Sequence, residues 1–264
     1  MTEKTKISRR NLLGITANGL AAMFVVPAIW NTETVSADTN PLLNLSRRRQ
    51  QRKETNPSKQ KHLPNFPNEF YYNNGKFDEE KARDVIIELA QYHGYPVYSG
   101  LREKLWVSDY GLGRFTEVGL AAVGIVNNLD GEYSYMLQDL FLLPNQMLPE
   151  HWHVEVPEAE KKTRGAQKDE GWFVRWGRSY IIGEGEANLP PQVVVPKSHG
   201  PVTVNCCTIA DPGVFVKLTK RGSRHWQFAG EKGVILTEVA NYHDNASVRH
   251  SNQTANDHFL GGLK

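Results

Sequence analysis

His151 and His153 stand two residues apart in the run Leu148 to Val154. On a strand, side chains alternate between faces, so both imidazoles would look to one side and Trp152 to the other. Two convergent imidazoles need two or more further ligands to hold a metal, and a carboxylate on the next strand is the first to seek. Two are within reach. Glu158 lies inside Glu155 to Asp169, whose charged composition is that of an exposed loop. Glu170 opens the aromatic run Gly171-Trp172-Phe173-Val174-Arg175-Trp176-Gly177, and a residue at the start of a returning strand can face the histidines across a hairpin. Glu170 is therefore the expected ligand and Glu158 the reserve.

The elements that must position these groups follow from hydrophobic spacing. Phe77-Asp78-Glu79-Glu80 gives an acidic helix start, Ala82, Val85, Ile86, Leu89 and Ala90 recur at three-and-four spacing, and His93-Gly94-Tyr95-Pro96 ends the pattern. Beyond Trp106 no comparable helical pattern recurs. Short runs rich in Val, Ile, Tyr, Phe and Trp take over: 117–127, 133–143, 146–154, 171–182, 192–195, 202–209, 214–218, 224–228 and 234–240. Turn signals such as Asp130-Gly131, Asp211-Pro212-Gly213 and Gly230-Glu231-Lys232-Gly233 separate them. Many short strands without intervening helices predict an all-β barrel or double-sheet jelly roll behind an N-terminal helical segment.

With strands assigned, His151-Trp152-His153 followed by Glu170 and Gly177 resembles the first cupin motif with its hairpin loop lengthened. Lys220-Arg221-Gly222-Ser223-Arg224-His225-Trp226 resembles the second, a Gly turn followed by a His. The resemblance implies a cupin double-stranded β-helix, with His225 as the fourth protein ligand. Three imidazoles and one carboxylate suit a borderline divalent ion, with positions left for substrate oxygens or water. Manganese is the expected ion, and Fe, Co, Ni or Zn also fit.

Within cupins, the segment from His225 to Val239 with Asn241-Tyr242-His243-Asp244 is similar to the D-lyxose isomerase family, as is Leu142 to Glu150 before the histidine pair. This resemblance extends over about 70–252 and implies an aldose-ketose isomerase of D-lyxose/D-xylulose type acting on a monosaccharide. In that chemistry a metal chelates neighbouring sugar oxygens and stabilises an enediolate, while a side chain carries the proton. Glu238 matches the family's acidic position and is the expected proton carrier. His243 and Asp244 are expected to bind hydroxyls. Gln138 stands where the family pattern has an inward-pointing lysine; its amide can hold a hydroxyl but brings no charge, and Lys217 is the expected compensation. Trp172, Trp176 and Tyr180 are candidate walls, whereas Trp152 and Trp226 adjoin ligands and should face away. Two other classes compete: a metal-dependent oxygenase, which would need oxygen, and a non-catalytic sugar-binding cupin.

The amino terminus reads as a separate region. Ser8-Arg9-Arg10-Asn11-Leu12-Leu13-Gly14, a short interrupted apolar run and Val35-Ser36-Ala37 resemble a twin-arginine signal over 1–37. It implies the twin-arginine export machinery as a partner and a periplasmic or otherwise exported location, or a membrane anchor if uncleaved. Its removal takes four basic and two acidic residues from the chain's 31 and 29, leaving a neutral protein. Residues 38–69 read as a disordered linker, basic up to His62 but without the interleaved aromatics of a nucleic-acid arm, so no nucleic-acid partner is expected. The cupin domain is assigned to 70–264. Adjacent Cys206 and Cys207 are neither a disulfide framework nor a zinc site. Pairing of cupins through barrel edges predicts a homodimer by analogy.

Overall fold

The computed structural model describes residues 62–129, 133–155 and 167–261. The expected leader, most of the linker, the Asp130-Gly131 turn and Glu158 lie outside the described residues. A small hairpin, β1 (Tyr72–Asn73) and β2 (Lys76–Phe77), precedes helix α1 (Glu79–His93). Asp78 caps α1, its carboxylate accepting the Lys81 N–H at 3.2 Å, and Glu79 and Glu80 place negative charge at the positive end of the helix dipole. The five apolar residues picked out by spacing are the five that α1 buries.

A short helix, α2 (Leu101–Lys104), leads into the sheet: β3 (Trp106–Ser108), β4 (Leu120–Asn128), β5 (Tyr135–Leu142), β6 (Met147–His153), β7 (Glu170–Gly183), β8 (Cys206–Ala210), β9 (Phe215–Lys217), β10 (His225–Ala240) and β11 (Val248–His250). Helix α3 (Gln253–Gly261) follows. Among the described residues these nine strands form one antiparallel sheet, ordered β11-β6-β10-β5-β4-β3, with β7 pairing β10, β8 and β9.

Period-two alternation divides the core. On β4, β5 and β10, Leu120, Ala122, Leu140, Leu142, Val234 and Leu236 point to one cluster inside the sheet. Ala121, Val123, Phe141 and Ile235 point to the other, beneath Val85, Ile86 and Leu89 of α1.

The closure of the sheet is what assembles a site. β7 and β10 pair from Ala240↔Glu170 to Trp226↔Ile182. A flat ladder of that length would hold its ends about 40 Å apart at ~3.3 Å per residue. Yet Glu170 and His225 are in contact, 3.0 Å apart. The two-stranded ribbon therefore folds over on itself, at the register shift between Ala229 and Val234. Gly177 and Gly233 face each other there with φ of 76° and 71°, and a Cβ on Gly177 would collide with the Gly233 carbonyl.

Five sequence expectations change. The Gly230–Gly233 signal marks this fold in a continuous strand, not a turn between two strands, because β10 keeps its pairing with β7 on both sides. Residues 192–195 form no strand, and 202–209 shortens to Cys206–Ala210. β6 and β7 do not pair as a hairpin; β10 lies between them. Helix α3 was not predicted, its nine residues burying only Ala255 fully.

Candidate metal centre

His151 and His153 sit at the end of β6, Glu170 begins β7 and His225 begins β10, with His225 directly opposite His151 in the ladder. One ligand atom from each of the four lies within 4.8 Å of all the others. His153 Nε2 and His225 Nε2 are 3.1 and 3.0 Å from Glu170 Oε1. None of these three buried atoms makes a hydrogen bond of ordinary geometry, as expected of atoms arranged around a shared partner rather than around each other. The outer nitrogens of two rings are fixed: His151 Nδ1 donates to the Pro149 carbonyl at 2.9 Å and His225 Nδ1 to the Ser223 carbonyl at 3.0 Å. That choice of tautomer leaves Nε2 with a lone pair facing inward, the usual arrangement behind a histidine ligand. Donor types, burial and orphaned atoms thus fit a divalent ion.

Electrostatics favour the ligand forms. Burial, reinforced by the neighbouring His225, His153 and His250, pulls His151 well below the ordinary histidine range. Burial lowers His153 to about 4 despite Glu170. Burial alone would raise Glu170, but the Lys168 ammonium and the two histidines hold it well below the usual carboxylate range.

Beside the ligands lies a second buried group. Lys168 Nζ bridges Glu170 Oε2 at 2.8 Å and Glu238 Oε1 at 2.6 Å, and Gln138 Nε2 donates to Glu238 Oε2 at 3.0 Å. Gln138 and Glu238 are opposite each other in the β5–β10 ladder. Burial raises Glu238, opposed by Lys168 and assisted by Glu170. Lys168 lowers the proton affinity of both carboxylates, but the two histidines act on Glu170 as well, whereas burial and the Glu170 charge outweigh the lysine at Glu238: Glu170 is held low and Glu238 is raised. Both carboxylates in turn push Lys168 up despite its burial.

Gln138, Lys168 and Glu238 line a cavity of about 290 Å³ with His151 and His153, together with His243, His250 and an apolar wall that includes Trp106, Tyr110 and Phe259. Of the predicted contacts, Gln138, Glu238 and His243 reach it. His243 Nε2 lies 3.1 Å from Asn245 Oδ1, and burial, then Lys168, lowers its pKa to about 3. Asp244 does not line the cavity; it caps the turn Asn245–Ser247, accepting the Ser247 N–H at 2.8 Å. Lys217 is corrected outright: it sits on an edge strand, its side chain 68% exposed and 3.8 Å from Asp169, and the cation inside the site is Lys168. Sequence reasoning missed Lys168 because it ends a charged stretch read as loop; its place two residues before Glu170 was the available signal. Trp226 faces away from the cavity, donating to the Val204 carbonyl at 2.9 Å, and Trp152 stacks under Arg224. Trp172 packs against His225, with ring centroids 5.2 Å apart, while Trp176 and Tyr180 lie elsewhere.

No protein-family model matches the chain. It is 30% identical over 161 residues to a D-lyxose ketol-isomerase of Cohnella laeviribosi, covering 61% of this chain and 82% of that one. It is 32% identical over 169 residues to a D-lyxose/D-mannose isomerase of Thermosediminibacter oceani, covering 64% and 87% respectively. Among solved structures, the L-ribose isomerase of Acinetobacter sp. DL28 in complex with L-ribose aligns with a TM-score of 0.51 at 12% identity, over 69% of this chain and 94% of that one. The ligand-free L-ribose isomerase of Cellulomonas parahominis aligns with a TM-score of 0.50 at 12% identity, over 67% and 93%. At such identities the structural likeness speaks for the fold alone.

Proposed function

The chain belongs to the D-lyxose ketol-isomerase family, and from that premise we infer that it interconverts an aldose and a ketose of the D-lyxose/D-xylulose type at a divalent metal centre, Mn by expectation. The observation that carries this reading is the convergence of His151, His153, Glu170 and His225 beside a carboxylate whose proton affinity is raised. A divalent ion held by those four would act as a Lewis acid on neighbouring sugar oxygens and acidify the adjacent C–H.

The chain's own groups supply the rest. Glu238 takes the proton from the carbon beside the carbonyl and delivers a proton to the former carbonyl carbon, while the proton of the neighbouring hydroxyl passes to the former carbonyl oxygen, so the sugar is isomerised with no net gain or loss. Gln138 holds Glu238 Oε2, leaving Oε1 to exchange its Lys168 contact for the substrate proton. Lys168 Nζ stabilises the negative charge that develops between the two carboxylates and the sugar. Because Lys168 lies at Glu238, the positive charge that Gln138 cannot bring is still present in the site.

The sequence beyond the described residues supports two further parts of the reading, a twin-arginine leader over 1–37 and export to the periplasm or anchoring by an uncleaved leader; a homodimer paired through barrel edges is proposed by analogy with cupins alone. The twin-arginine machinery exports folded proteins, which suits a chain that loads its metal first.

The test is anaerobic incubation of Mn-loaded protein with a panel of pentoses and hexoses, followed by chromatography of the products. Conversion to the ketose or aldose partner, abolished by chelation and restored by Mn, is expected. Turnover only with oxygen would replace the isomerase reading with oxygenase chemistry. Sugar binding without turnover would leave a non-catalytic binding cupin.

A further inference from the structure

We propose that His250 is a substrate-positioning, specificity-determining residue that hydrogen-bonds a sugar hydroxyl beyond the two reacting carbons. The inference rests on the isomerase reading. β11 pairs with β6 in the register His250↔His151 and Val248↔His153, so His250 lies on the same face as the ligand pair. Its ring centroid is 5.7 Å from that of His151, yet its nitrogens stand outside the four-ligand cluster. It borders the cavity one step beyond the ligands.

His250 is 6% exposed, and neither ring nitrogen makes a hydrogen bond of ordinary geometry, although the Glu150 backbone lies near enough to favour the charged ring slightly. Buried polar groups without partners are rare because their desolvation is uncompensated. On a cavity wall, a ligand can supply the partner.

The ring is also held in place. Tyr110 packs against it edge-on with centroids 5.1 Å apart, and Phe259 of α3 does so at 5.3 Å. Tyr110 itself occupies a left-handed backbone conformation, φ 56°, uncommon for an aromatic residue. Its turn is braced by Ser108 Oγ, which accepts the Tyr110 N–H at 3.0 Å, and by Asp109, which accepts the Gly111 N–H at 2.9 Å. The rings against His250 on this side are aromatic, Tyr110 and Phe259, and the cavity lining adds Trp106, Leu120, Leu148 and Val248 to them, with Lys104, His243 and Asn245 as its other polar members outside the metal and Glu238 groups. A polar ring held between two aromatic residues can recognise one hydroxyl and leave the neighbouring C–H surface to the rings.

The experiment compares wild type, His250→Phe and His250→Gln with the best sugar of the panel and its monodeoxy analogues, alongside metal content and calorimetric binding of the matching alditol. His250→Phe is expected to lower kcat/KM about tenfold, mainly through KM, with metal content unchanged. One deoxy analogue should lose about tenfold on the wild type and nothing further on His250→Phe, while the others lose equally on both. His250→Gln should regain part of the loss, and its profile serves if the Phe variant fails to fold. The same loss for every analogue on wild type and variants, or loss of metal with an unchanged analogue profile, would overturn the proposal. If the wild type turns over no sugar, the isomerase reading fails separately. The alditol isotherm then decides for His250: affinity about tenfold weaker in the variants upholds the positioning role, and unchanged affinity removes it.

Discussion

The two faces of β4, β5 and β10 differ in kind. Outward, Ala121, Val123, Phe141 and Ile235 meet Val85, Ile86 and Leu89 of the helix in a dry apolar layer. Inward, the same strands carry Gln138 and Glu238 to a site whose ligand atoms lack hydrogen-bond partners. The outer face is organised for stability, since every contact there is made in the resting protein. The inner face gathers charge and unpaired nitrogen in a small buried volume, an arrangement that is costly without a ligand. Alternation along a strand lets one element serve both roles, because adjacent residues never share a face.

The largest effect should come from disturbing the inner charges. Lys168→Met leaves Glu170 and Glu238 buried without their shared cation, and should cost the metal-free protein about 3–5 kcal/mol in urea unfolding. Adding Glu238→Gln should return part of that loss, because one of the two stranded charges is gone. If the double variant is no more stable than the single one, the two carboxylates do not share the lysine as described.

On the outer face, Leu89→Ala should cost about 2–5 kcal/mol by leaving a cavity under α1. Turnover per folded molecule should stay at the wild-type level. A matching fall in kcat would mean the two faces are not separable.

Acid should distinguish the faces next. Burial lowers His153 to about 4 and His250 to about 3. In the window from about 6.5 down to those values, the unfolded chain binds protons that the folded chain refuses. Stability is therefore complete above about pH 6.5 and declines as pH falls, by about 1.4 kcal/mol per pH unit for each such histidine. Denaturant midpoints of metal-free protein measured between pH 7 and pH 4 should show the decline, and a flat profile would contradict the burial of these rings.

The smallest effect belongs to a residue that the sequence nominated and the structure moved away. Lys217→Ala should change stability by no more than about 0.5 kcal/mol and leave kcat/KM as it was.

How much of this was legible beforehand follows from the range of each signal. The four expected ligands converge because strand alternation and the two cupin-like motifs are local patterns, and so is the periodicity of α1. Lys168 was hidden because composition cannot tell which end of a polar stretch turns inward. His250, Tyr110 and Phe259 meet only once β11 pairs with β6 and α3 packs beside Tyr110, contacts between residues far apart in the sequence. The fold-over at Gly177 and Gly233 looked like a turn because glycine reports local conformation, whereas strand continuity depends on the partner strand.

The central claim is that Glu238 moves a carbon-bound proton beside the ligand cluster. Its most direct test is NMR of solvent deuterium entering the carbon beside the carbonyl, with Mn-loaded protein and its sugar in D₂O. The account predicts deuterium incorporation alongside ketose formation, reduced by about 10²–10⁴ in Glu238→Gln with metal content unchanged. Incorporation at the wild-type rate in Glu238→Gln would contradict it and assign the proton to another group.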